Sequence, residues 1–260
     1  MKLISILSLF LLVGCATEIN FYVPAQRFQT PETSGGAGSF DAALGMTQSQ
    51  EITTVKVSDS IISSGSNVTL SKDAVYDFKK HIATGINLGL FERLDILASG
   101  YTDGPSYYGL KLQLIGADGP KKKEGFKMAI TGSYAYMREK DSTQNITVGG
   151  NDREYKANLT VKGYDASVLM GYRFSKGLIM YISGGYSEME SESVMESNQF
   201  ATVNIDGDVK MTAGTFGMRL GGNESTSLFV NLEASYNKVE YQNSLEEEQT
   251  SLGAVLGVTY

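Results

Sequence analysis

Leu228-Phe229-Val230-Asn231-Leu232-Glu233-Ala234-Ser235-Tyr236 is the stretch that decides the fold. Every second residue from Leu228 to Tyr236 is apolar or aromatic, while Asn231, Glu233 and Ser235 between them are polar; Phe229 is the exception. Period two gives an extended strand one apolar and one polar face. Further along, Leu252, Ala254, Leu256, Val258 and Tyr260 share a face opposite Ser251, Gly253, Val255, Gly257 and Thr259. Tyr164, Ala166, Val168, Met170, Tyr172 and Phe174 oppose Asp165, Ser167, Gly171 and Arg173 in the same way. So do Phe126, Met128, Ile130, Tyr134 and Tyr136 against Lys127, Ala129, Thr131, Ser133 and Ala135.

Ten such segments fit the chain, near 39–47, 82–91, 94–101, 107–115, 126–137, 161–173, 178–189, 208–220, 227–238 and 250–260. Most approach the roughly 9–11 residues that a tilted strand needs to cross a bilayer. The expected fold is all-β: a closed antiparallel transmembrane barrel over 38–260 with about ten strands, eight to twelve fitting the pattern. Its long outer loops fall near 48–81, 138–160, 190–207 and 239–249. Short turns alternate with them, except that 102–106 is short and 116–125 long. Aromatics sort by strand end, with Tyr108, Tyr134, Tyr136, Tyr164, Tyr186 and Tyr236 at one and Phe40, Phe126, Tyr172, Phe174 and Tyr260 at the other. That placement suits two interfacial girdles. The alternative is a soluble β-sandwich whose apolar face covers an inner core.

Composition narrows the function classes. The chain has 260 residues, a formal net charge of -7, one Cys and one His. An acidic balance argues against a nucleic-acid partner. One Cys and one His leave no disulfide framework and no ordinary zinc site, so no metal or cofactor is expected. No glycine-rich loop follows a strand and opens a helix, so nucleotide binding has no support.

Met1-Lys2 followed by the largely apolar run Leu3–Val13 reads as a secretory signal, too short to span a bilayer as a helix. Leu12-Val13-Gly14-Cys15 resembles the bacterial lipoprotein lipobox. The resemblance implies removal of residues 1–14, lipidation of Cys15 and passage through the lipoprotein-sorting machinery. Pro24, Pro31 and Ser34-Gly35-Gly36-Ala37-Gly38 suggest a lipid-anchored periplasmic tether over 15–37. The end of the chain, marked by Ser251, Gly253, Leu256, Val258 and Tyr260, resembles the assembly signal of bacterial outer-membrane β-barrels, although that family more often ends in Phe. Gly89-Leu90-Phe91-Glu92-Arg93-Leu94-Asp95 resembles a hairpin common in such barrels. The chain is thus similar to an outer-membrane barrel with a lipid anchor. The implied partners are outer-membrane lipids, the barrel-assembly machinery and an unknown extracellular ligand. Both termini would be periplasmic.

Asp41, Asp95, Lys111, Lys127, Asp165, Arg173, Arg219 and Glu233 fall on inward faces: four acids and four bases. About ten strands is near the size at which side chains fill the interior. Balanced charge there favours a filled lumen and a structural or surface-interaction platform, with a narrow porin-like channel as the second reading. His81, read as part of the first long outer loop with Ser71 and Asp73 nearby, makes a surface hydrolase the third. Glu188, Glu190, Glu192, Glu196 and Glu246–Glu248 read as solvated outer acids, with Ca²⁺ or Mg²⁺ binding as the second reading, and Lys121–Lys123 as a solvated periplasmic turn, with an acidic periplasmic partner as the alternative.

Overall fold

The computed structural model describes residues 17–57, 75–117, 123–148, 151–197, 200–222, 227–242 and 245–260. Eleven strands form one antiparallel sheet. They are β1 (Thr17–Pro24), β2 (Phe40–Val57), β3 (Val75–Phe91), β4 (Leu94–Tyr101), β5 (Ser106–Ile115) and β6 (Gly125–Val148). β7 (Asn151–Ser175), β8 (Leu178–Ser197), β9 (Phe200–Gly221), β10 (Ser227–Tyr241) and β11 (Leu245–Thr259) complete it. β2 to β11 make a meander that closes where Asp41–Met46 pair with Ala254–Thr259. Phe40 and Tyr260 add a reciprocal pair of 2.8 Å backbone hydrogen bonds, with their rings stacked 5.5 Å apart. The result is a ten-strand barrel with one extra strand, β1.

One end carries short links between strands, such as Glu92-Arg93 and Lys176-Gly177; the other carries long hairpins. There the structure differs from the sequence expectation. Nearly all the described residues of 138–160, 190–207 and 239–249 belong to paired strands of β6 to β11 and not to loops. Extensions of β2 and β3 likewise take up 48–57 and 75–81 of the first expected loop, and residues 58–74 lie outside the described residues.

The pattern in these extensions is still period two, but its polarity is inverted. Along β7, Tyr164, Val168, Met170, Tyr172 and Phe174 point outward and are exposed, while Asp165 and Arg173 are buried inside. Beyond Tyr164 the outward residues are Lys156, Asn158, Thr160 and Lys162, while Ala157, Leu159 and Val161 are buried. β8 switches between Tyr186 and Glu188, with Met189 and Met195 inward. An apolar face stopping at Tyr164 hides the continuation from a reader who follows only that face.

The same inversion explains β1. Inside the extensions, Leu159, Val161, Met189, Ile205, Val209, Met211 and Val239 cluster around Ile19, Phe21, Val23 and Ile52. β1 pairs with β2 from Thr17↔Val57 to Pro24↔Ser49, and this ribbon lies within the wall. Residues 17–37 are therefore no exposed tether. Thr17 sits at the long-hairpin end, whereas Phe40 and Tyr260 sit at the other, so the two ends of the described chain do not share a side. The expectation of both termini on one side took residues 15–37 to stay outside the barrel; instead the chain passes through it.

Candidate functional site

From Pro24 to Ser39 the chain descends the lumen, and the barrel wall binds it at nearly every step. Ala25 N donates to Gln48 O at 3.1 Å. Gln26, fully buried, bridges the diverging strands β2 and β11: its Nε2 donates to Ser251 Oγ, and its Oε1 accepts from Thr47 Oγ1, both at 2.6 Å. Gly253 permits this approach, since a Cβ there would stand 2.6 Å from the Phe28 ring and 3.0 Å from Gln26 Oε1. Phe28 turns the chain with a φ of 53°, a left-handed conformation that is strained for a bulky residue. β10 holds that turn: Phe28 N donates to Glu233 Oε2 at 3.0 Å, and Asn231 Nδ2 donates to Phe28 O at 3.3 Å.

Charges fix the segment above and below the turn. Arg27 meets Asp165 at 2.9 Å, its guanidinium lying 4.6 Å over the Tyr107 ring. Glu32 takes a two-pronged contact from Arg173, with Nε to Oε1 at 2.7 Å, and has Lys127 Nζ at 3.7 Å. Ser34 donates from its N and Oγ to the two oxygens of Asp95, at 2.9 and 3.0 Å. Asp95 also pairs with Lys111 at 3.4 Å. Thr33 N and Gln29 Nε2 donate to Gln113 and Asn87, each at 3.1 Å. Near the closing seam, Arg219 pairs with Asp41 at 2.7 Å and stacks on Phe229. Tyr181 donates to Glu233 at 2.6 Å.

All eight inward charges named from the sequence are thus buried inside the barrel, each with a hydrogen-bond or ion-pair partner. Five of them, Asp95, Lys111, Lys127, Asp165 and Arg173, bind residues 27–34 through their side chains, and Glu233 binds the backbone at Phe28. Sequence reasoning missed Gln26, Arg27, Phe28 and Glu32 because prolines and a glycine run marked the region as a linker. A signal was present just before it: Ile19, Phe21 and Val23 alternate.

The other candidates separate. His81 is not in a loop; it is buried on β3 opposite Thr47, its ring 4.1 Å from that of Tyr22. Ser71, Asp73, Lys121, Lys122 and Cys15 lie outside the described residues. Among the described residues no three His, Cys, Asp or Glu side chains converge as metal ligands would. Glu188, Glu190, Glu192, Glu196, Glu246 and Glu248 are exposed on the outer faces of the extensions. Some pair with lysines: Glu190 with Lys162 at 3.2 Å, and Glu246 with Lys238 at 2.8 Å. A side-chain hydrogen bond to each glutamate raises the lysine it meets above the ordinary value. On β11, Ser251 is buried at the seam, and Leu256 and Val258 are exposed on the outer face, as is Tyr260 just past its end.

A closed meander with an apolar outer belt, aromatic rims and a polar interior defines a bacterial outer-membrane β-barrel. On β7 the belt runs from Tyr164 to Phe174, about 33 Å along the strand and about 25 Å along the normal at the usual tilt. More particularly, the chain belongs to the autotransporter beta-domain family, whose signature matches residues 105–258. The match spans β5 to β11 and leaves out β1 and the lumen segment. No curated protein sequence matches the chain. Among solved structures, the outer membrane protease OmpT from Escherichia coli aligns over 95% of this chain and 96% of its own, at 9% identity and a TM-score of 0.32. Likeness at that level carries no argument about activity.

Proposed function

We propose that the protein is a non-catalytic, non-conducting outer-membrane platform, displaying its hairpins while its own residues 25–37 stop the lumen. One observation carries this reading: the ionic cross-links of Arg27 to Asp165 and of Glu32 to Arg173 and Lys127 tie the segment to the wall. A segment bound across the lumen in this way obstructs the path of a solute, which disfavours the porin-like alternative. A buried His81 against a tyrosine ring disfavours the hydrolase. The ligand of the platform is an extracellular surface, met by the acidic outer walls of β8 to β11.

The reading includes a lipid on Cys15 and passage through the lipoprotein-sorting and barrel-assembly machineries. With long hairpins outside, as in other bacterial barrels, Thr17 lies at the outer mouth. A lipid two residues earlier then belongs to the cell-surface side and not to the periplasmic side. The test of the platform is single-channel conductance in a planar bilayer, after heat-modifiable gel migration has verified the barrel. Silence is expected from the wild type. Stable unitary steps would overturn the reading and make the inward charges selectivity residues.

A further inference from the structure

On its outer face the barrel wall caves in beside β11. β2 pairs with β11 only from Asp41 to Met46, then turns away to pair with β1 from Ser49 onward. The departure leaves a groove of about 690 Å³ on the membrane-facing side, within the size range of ligand pockets. Two cross-strand rows build it. Met218, Leu232, Ala254 and Met46 form the first; Phe216, Ala234 and Leu252 form the second. Small residues at Ala234 and Ala254 make the floor, and the larger side chains make the walls. The second row continues across the gap through Gln48 to Lys80, which stand opposite each other on β2 and β3.

Two features make this more than bare wall. Gln48 Oε1 accepts from Leu252 N at 2.6 Å, replacing one ladder bond with a side chain. Beyond it, β11 from Leu245 to Ser251 has no strand on that side among the described residues. Most of that edge belongs to the extensions and faces water, but at Leu252 it enters the belt, where hydrocarbon offers no substitute for a missing strand and Gln48 supplies the bond. The second feature is charge. Lys79 is tied to Glu51 at 2.7 Å, but Lys80 is exposed and has no ion-pair partner among the described residues. It stands at the rim, one row from the level of Tyr236 on the same outer face. There a lysine can lay its stem along apolar surface and hold its ammonium at the interface.

We propose that this groove binds one acyl chain of an anionic membrane phospholipid, with the phosphate of the lipid against Lys80 Nζ. The apolar trough lies within the outer belt and ends at a single unpaired cation, matching an amphiphile with a negative head. A second copy of the chain fits less well: pairing its β11 edge here would set Glu246–Glu248 of both copies side by side. The proposal rests on the membrane-embedded barrel and not on the platform role, so a conducting wild type would leave it standing.

The test is native mass spectrometry of the full barrel, taken up in mild detergent from vesicles of phosphatidylcholine containing one fifth phosphatidylglycerol. The wild type is expected to retain one phosphatidylglycerol per barrel, preferred about fivefold over phosphatidylcholine by the one lysine contact. Lys80→Gln should bring that preference close to unity. Ala254→Trp, which fills the trough, should abolish retention while heat-modifiable migration still reports a folded barrel. Undiminished preference in Lys80→Gln, undiminished retention in a folded Ala254→Trp, or a dimer in place of a lipid adduct would each overturn the proposal.

Discussion

Strand β7 has two halves with the same backbone and opposite chemistry. From Tyr164 to Phe174 it shows apolar side chains to the outside and keeps Asp165 and Arg173 within. From Lys156 to Lys162 it shows polar side chains outside and keeps Ala157, Leu159 and Val161 within. The ladders to β6 and β8 run through both halves. The difference therefore lies in the solvent on the outer face. Where that face meets hydrocarbon it must be apolar, and the inside is left to satisfy polar groups. Where it meets water, the ordinary rule returns and the inside becomes a hydrophobic core. The contents differ accordingly: β1 and the outer half of β2 fill the upper part with Ile19, Phe21, Val23 and Ile52, while residues 26–34 fill the lower part with charges and amides.

The largest effect should come from breaking the lower filling. Glu32→Ala leaves the fully buried Arg173 without its carboxylate and takes one partner from Lys127. Removing one member of such a group typically costs about 3–5 kcal/mol, because the remaining charges stay desolvated. The urea midpoint of the heat-modifiable species should fall accordingly, and unitary conductance should appear if the segment leaves the lumen. An unchanged midpoint with continued silence would mean that the segment is held by packing alone.

A smaller effect tests the boundary itself. Val168 and Thr160 lie on the same outward face of β7, on opposite sides of Tyr164. Val168→Arg sets a charge near the middle of the belt and should cost about 2–4 kcal/mol in bilayer refolding. Thr160→Arg sets the same charge in water, where the change should stay within about 0.5 kcal/mol. Equal effects would show that the switch at Tyr164 does not mark the lipid boundary.

The contrast also explains what could be read from the sequence. The barrel was legible because each membrane segment needs an apolar outer face, and Leu228 to Tyr236 or Leu252 to Tyr260 advertise it. The inward charges were legible as the other half of that alternation. The extensions were not, because Thr160 and Lys162 on the outer face look like loop residues, and Leu159 and Val161 keep period two with its meaning reversed. The lumen segment was hidden for another reason. Its contacts run from Arg27 to Asp165 and from Glu32 to Arg173, more than a hundred residues apart, and it has no ladder of its own to impose a period. Pro24, Pro31 and the glycines around Gly36 signal an irregular chain, which it is; whether such a chain lies in water or in a barrel depends on partners that local pattern does not show.

The smallest effect expected is on the outer wall of the extensions. Lys162 and Glu190 meet at 3.2 Å across β7 and β8, but both side chains are more than half exposed. An ion pair in water exchanges hydration for a contact of similar value and is screened by salt. Lys162→Ala should leave the urea midpoint unchanged within error at 0.15 M salt. The sign of its pH dependence follows from the lysine: Glu190 raises it above its ordinary value, so whatever the pair contributes is fully present below the unfolded-state lysine value and lost only in strong alkali. Midpoints of wild type and variant should accordingly run parallel from pH 6 to pH 9, even at low salt. A loss in Lys162→Ala approaching that of Glu32→Ala would mean that this wall is covered and not wetted. The polarity switch on β7 would then need a partner, and not water, to explain it.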